Sequence, residues 1–111
     1  MLRGEVWWVN FDPSLGGEIQ KTRPAVIVSN NASNRVLNRL QVLPITSQVD
    51  RVYACEALVS LNGEPRKAMA DQIATVSKLR FGNRLGALSV PDMQVVEAAI
   101  RTQLALSRAA D

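Results

Sequence analysis

Histidine is absent from this 111-residue chain, and cysteine occurs once, as Cys55. The first absence removes the commonest zinc and copper ligand, the usual base of serine and cysteine hydrolases, and the one side chain whose unperturbed pKa lies near neutrality. Any catalysis must then use carboxylates, hydroxyls, arginine or lysine. The second excludes an intramolecular disulfide and with it a stapled secreted scaffold, so a reducing compartment is expected. No apolar run approaches the roughly 20 residues that span a bilayer, and the opening MLRGEVWW lacks the apolar core of a signal peptide, which makes a cytoplasmic protein the expectation. The carboxylates show no metal-ligand spacing, and there is no glycine-rich phosphate loop, internal repeat or interdomain linker.

What remains is ordinary globular material. With 47% hydrophobic and 21% charged residues the chain is too apolar for disorder. Its length supplies one core, so a single domain over residues 1–111 is expected. The net charge of +3 favours an acidic partner only modestly, and its weight depends on where the charges sit.

Most of the chain reads as short strands. GEVWWVNFD alternates, with Val6 and Trp8 on one face and Trp7, Val9 and Phe11 on the other. Turn residues follow from Asp12 to Gly17, and the connection of about a dozen residues up to Arg23 is longer than a plain hairpin needs. Residues 25–29 form a buried-strand run, and NNASNR a polar turn or short helical piece. LQVLPIT is a third strand whose Pro44 suggests an edge, a bulge or a strand end. Residues 53–59 alternate again, placing Cys55 with Tyr53, Ala57 and Val59 as a buried, inert thiol, and Asn62-Gly63 marks a tight turn. Residues 67–76 give one or two more strands, the basic SKLRFGNR follows, and LGALS is a brief last strand. Five to seven such strands imply a small, strongly bent barrel or sheet. The period then changes: Ser89-Val90-Pro91-Asp92 has the form of a capping box, and Met93, Val96, Ile100 and Leu104 form one stripe of a helix of about four turns.

Arg23 is the first candidate for chemistry. Pro24 pushes it toward extended backbone, so its guanidinium projects from a stiff point where loop meets strand. That suits a phosphate clamp, because the planar fork matches phosphate oxygens and keeps its proton; a solvated surface arginine is the alternative. Thr46 and Ser47 put two hydroxyls at the end of a strand that can share a rim with Arg23, or merely cap a turn, and Glu18 brings a carboxylate to the preceding loop. The basic residues fall into two groups, Lys21, Arg23, Arg35 and Arg39, then Arg66, Lys67, Lys78, Arg80 and Arg84. Brought together they form a positive groove for a nucleic-acid backbone; scattered, they only solvate the surface. Trp7, Trp8 and Phe81 are candidates to stack on bases, although at least one tryptophan belongs to a core or a dimer contact.

The order of these features, RGEVWWVNFDP, GGEIQKTRPAVIVSN, VLPITS, the Asp71-Gln72 pair, GAL and a terminal helix, resembles the MazF/PemK family of toxin endoribonucleases over about residues 3 to 106. The resemblance implies an SH3-like barrel with a C-terminal helix, a homodimer whose groove binds single-stranded RNA, cleavage at short motifs without a metal or other cofactor, and an antitoxin that blocks the groove with an acidic, flexible segment. It assigns catalysis to Arg23, Thr46 and Glu18 and sets Asp71 and Gln72 near the substrate groove; Lys21, Ser47 and Arg80 join Gln72 as candidates for substrate binding. Many members have Ser-Glu-Gln where this chain has Gly17-Glu18-Ile19, which leaves the contacts of that serine and glutamine without a counterpart. RNA brings its own 2′-hydroxyl nucleophile, so an arginine and a hydroxyl suffice to stabilise the phosphorane charge. The expected ends are a 2′,3′-cyclic phosphate and a 5′-hydroxyl.

Two other classes fit the same frame. A toxin of this fold that inhibits a protein such as DNA gyrase would depend on Arg101 and Arg108 of the terminal helix rather than on Arg23 and Thr46. A non-catalytic RNA-binding domain would bind RNA with strong salt dependence and leave it intact.

Overall fold

The computed structural model describes residues 1–12 and 21–107. Seven strands, β1 (Glu5–Asn10), β2 (Thr22–Ile27), β3 (Arg39–Thr46), β4 (Glu56–Leu61), β5 (Glu64–Met69), β6 (Ala74–Ser77) and β7 (Phe81–Ala87), form one antiparallel sheet in the order β4-β5-β3-β2-β1-β7, with β6 also pairing β3. Helices α1 (Asn31–Val36) and α2 (Val90–Leu104) complete it, so the fold is the mainly β one with a C-terminal helix expected from the sequence, its small bent barrel being a curled half-barrel sheet.

The sheet curls because β3 changes partner. Its first half, Arg39–Val42, pairs with β6, and its last two residues, Ile45 and Thr46, pair with β5. Pro44 lies at the changeover, opposite Ala25 of β2, fully buried inside the strand rather than at an edge or end. A residue without an N–H fits inside a sheet only where one edge has no ladder to complete. Bulges around Trp7 in the β1–β7 pairing add further bend.

Alternation in β1 serves two cores. Val6 joins Val26, Leu43 and Ile45 beneath α2, whereas Val9 packs with Ala25, Ile27, Leu40 and Val42 on the other side, against Trp7, Phe11 and Phe81. Each such aliphatic side chain contributes about 1.5–3 kcal/mol by leaving water. Asn62 and Gly63 both have positive φ, 51° and 83°, as a two-residue type I′ hairpin between β4 and β5 requires.

Three expectations change. The strand read from Tyr53 begins only at Glu56: Glu56 N–H donates to the Tyr53 carbonyl and Tyr53 N–H to Glu56 Oε1, both at 2.9 Å, and this turn leaves Tyr53 exposed and Cys55 half-buried. The last strand is β7, which absorbs half of the basic segment; as an exposed edge strand it carries no clear alternation. Ser89 does accept the Asp92 N–H, but the Asp92 carboxylate accepts Ser60 N–H at 2.9 Å and docks α2 on β4 instead of closing the box. Met93, Val96 and Ala99 are buried, while Leu104 is exposed in the last turn. No helix among the described residues is long and apolar enough to cross a membrane.

Candidate nucleic-acid interface

Strand pairing gathers residues that are far apart in sequence. The β2–β3 register sets Ala25 against Pro44 and Val26 against Leu43. The ladder ends there, and Arg23 and Thr46 lie two residues beyond it on their strands. Both line a cleft of about 340 Å³ with Lys21, Thr22 and Pro24 of the incoming strand, Ile45 and Ser47 beside Thr46, Trp8 of β1, and Arg66 of β5. Three cations and two adjacent hydroxyl-bearing residues face this space, and no carboxylate lines it among the described residues. Cations gathered at one cleft favour a polyanion.

Arg23 lies inside β2, opposite Val9 of β1, and is half-buried, one residue further into the strand than its sequence suggests. Thr46 Oγ1 accepts Gln48 N–H at 3.2 Å, which leaves its own O–H able to donate. Trp8 pairs with Pro24 next to Arg23 and leaves 38% of its surface exposed. Trp7, one residue earlier, points to the opposite face: it meets Phe81 edge-on at 6.3 Å, and its Nε1–H donates to Glu5 Oε1 at 3.1 Å. Of the two tryptophans, Trp8 is the one available to a base.

The other basic residues have different work. Lys67 is buried, donating to Arg51 O at 2.8 Å and Glu56 Oε1 at 3.0 Å. Lys78 Nζ donates to Asn34 O at 2.6 Å on α1, and Arg84 pairs with Glu5 Oε2 at 3.2 Å. Arg39 opens β3, about 23 Å from Thr46 at strand rise, and Arg35 belongs to α1. The pooled basic groove therefore reduces, in the cleft, to Lys21, Arg23 and Arg66. Gln72 sits in the 3₁₀ turn Ala70–Gln72 between β5 and β6, and Arg80 in the 3₁₀ turn Lys78–Arg80 before β7; neither lines the cleft. Glu18 lies outside the described residues.

Sequence reading left Trp8 undecided and counted Arg66 only among the nine basic residues of a possible groove. The alternation that separates the two tryptophans was visible; that Trp8 falls beside Arg23 needed the β1–β2 register. Arg66 carries no local signal, since the β3–β5 pairing of Thr46 with Lys67 brings it in. Among the described residues no three of histidine, cysteine, aspartate and glutamate gather as metal ligands would. Around β1, Glu5 is the one carboxylate with a displaced pKa: burial raises it, but the Leu2 N–H, the Trp7 indole, Arg84 and the amino terminus outweigh burial and hold it below its ordinary value.

Comparison with known proteins agrees with this fold. A family model described as PemK-like, MazF-like toxin of type II toxin–antitoxin system matches residues 2–104. The chain is 34% identical over 115 residues to endoribonuclease MazF9 of Mycobacterium tuberculosis, covering 96% of this chain and 98% of that protein. It is 40% identical over 90 residues to endoribonuclease PemK of Escherichia coli, covering 77% and 68%. Among solved structures, a mycobacterial endoribonuclease in complex with its cognate antitoxin superposes with a TM-score of 0.82 at 25% identity, over 98% of this chain and 99% of that one. MazF from Deinococcus radiodurans gives 0.83 at 25% identity, over 95% and 96%.

Proposed function

Because this chain belongs to the PemK-like, MazF-like toxin family of type II toxin–antitoxin systems, we propose that it is an endoribonuclease toxin that cuts single-stranded RNA in the cytoplasm and is restrained by a cognate antitoxin. The observation that carries this reading is that Arg23 and Thr46 line one cationic cleft with the exposed Trp8. The names of the relatives support the activity, and the likeness to a toxin solved with its antitoxin supports the partner.

The substrate supplies the nucleophile. Its 2′-oxygen attacks the adjacent phosphorus in line, the bond to the 5′-oxygen breaks, and the products carry a 2′,3′-cyclic phosphate and a 5′-hydroxyl. DNA, lacking the 2′-hydroxyl, resists. Arg23 donates to the non-bridging oxygens as charge grows on them, and the Thr46 O–H adds a second donor. Lys21 and Arg66 hold the flanking phosphates, Ser47 a neighbouring oxygen, and Trp8 stacks on a base. The 2′-hydroxyl proton goes to Glu18, and a water protonates the leaving 5′-oxygen. These protein cations meet the phosphorane charge, so cleavage needs no metal. The antitoxin's acidic segment competes for the same cations, and a homodimer extends the cleft into a groove.

The test is incubation of the protein with a long unstructured RNA in excess EDTA, with Arg23→Ala beside it and the ends mapped. Sequence-specific cuts with 5′-hydroxyl ends, absent in the variant, are expected. RNA left intact across varied sequences overturns the reading.

A further inference from the structure

Arg80 turns away from the cleft to the chain leaving β1. Its Nη1, which carries two hydrogens, donates to the carbonyl of Asn10 at 3.2 Å and to that of Asp12. Asp12 Oδ1 in turn accepts the Lys21 N–H at 2.8 Å, and Phe11 N–H donates to the Lys21 carbonyl at 2.9 Å. The departing and returning ends of the β1–β2 connection are thus tied to each other, and Arg80 ties both to the turn before β7. Lys21 has φ 65°, a left-handed backbone that a residue with a Cβ keeps only where its surroundings over-determine it. It is also the first residue of β2's approach to line the cleft, two positions before Arg23.

We propose that Arg80 is a positioning residue of the RNA-cleaving site: by clamping Asn10 and Asp12 it keeps Lys21 in its left-handed conformation and so aligns Lys21 and Arg23 on one phosphate backbone. This rests on the nuclease reading and departs from the phosphate contact that the sequence suggested for Arg80. Its action reaches the substrate through Asp12 and Lys21, so the three form one coupled chain. Asp12→Ala removes the acceptor of the Lys21 N–H while leaving the Asp12 carbonyl to Arg80, and breaks the same chain at its second link.

Arg80→Ala, Asp12→Ala and the double variant are compared with the wild type for RNA cleavage, for the salt dependence of RNA binding, and for hydrogen exchange at the Lys21 amide. Each single variant is expected to lower kcat about tenfold with KM within about twofold, and the double to lose no more than the worse single, because coupled residues are non-additive. Lys21 exchange accelerates in both, and the salt slope of binding stays at the wild-type value. A direct phosphate contact would instead raise KM and reduce the slope by about 0.7; that result, additive losses, or unchanged Lys21 exchange overturns the proposal. Wild-type protein that leaves every RNA intact overturns the nuclease reading and the catalytic consequence with it, while Lys21 exchange still decides whether Arg80 holds the connection.

Discussion

Arg23 and Thr46 each lie two residues beyond the last β2–β3 pair, Ala25 with Pro44, one half-buried in its strand and the other at a strand end, and a guanidinium and a hydroxyl so line one cleft. Strands are stiff, which holds such a pair better than two loops would. Arg23→Ala is expected to lower the cleavage rate about a hundred- to a thousandfold in a single-turnover assay, the usual cost of losing one transition-state donor. Arg23→Lys should recover only part of it, because an ammonium cannot reproduce the planar fork.

The two tryptophans should behave oppositely. Trp8→Ala is expected to weaken RNA binding by about 1–3 kcal/mol with little change in thermal stability, and Trp8→Phe to keep most of the affinity. Trp7→Ala loses the Phe81 ring contact and the Glu5 hydrogen bond, so it should destabilise the fold by about 1–3 kcal/mol. Fluorescence-monitored RNA titration and urea unfolding of both variants separate the roles.

Arg66 and Lys67 are neighbours with different fates. Arg66→Ala should reduce the salt slope of RNA binding by about 0.7 and leave the unfolding midpoint in place. Lys67→Ala strands the buried Glu56 carboxylate and is expected to cost about 3–5 kcal/mol in urea unfolding. Replacing both partners, Lys67→Met with Glu56→Leu, should recover much of that loss, since two apolar groups leave no uncompensated charge.

Glu5 gives a pH dependence with a definite sign. Its folded pKa lies below the ordinary 4.5, so its stabilisation is fully present above about that pH and is lost as pH falls through the folded value. Urea midpoints of the wild type and Glu5→Gln should differ at neutral pH and converge in acid. A gap that persists unchanged to low pH would mean that the carboxylate's charge contributes nothing.

Much of this fold was legible because burial imposes a period on the chain. Val6 and Val9 point to opposite faces of one strand, Val26 and Leu43 fall in continuous apolar runs buried on both faces, and Ser89 with Pro91 announces a helix start. The misread elements are those where a local interaction overrides the pattern. Glu56 draws residues 53–56 into a turn, and Phe81–Ala87 is an edge strand with no fully buried residue, so neither face imposes an alternation. The protein-inhibitor reading gains no support from the relatives found, which bear endoribonuclease names.

The sequence by itself determined the class of the fold and the kinds of residue available for chemistry: no imidazole, an arginine fixed by proline, and hydroxyls ending a strand. The tertiary structure decided which of them meet. Lys67, Lys78, Arg80 and Arg84 look alike in the chain, yet each is turned to a partner elsewhere, while Lys21, Arg23 and Arg66 reach one cleft. The reason is that a cation's role depends on what lies within a few ångströms of its charged end. In a sheet that distance is set by register between strands remote in sequence, which no local pattern records.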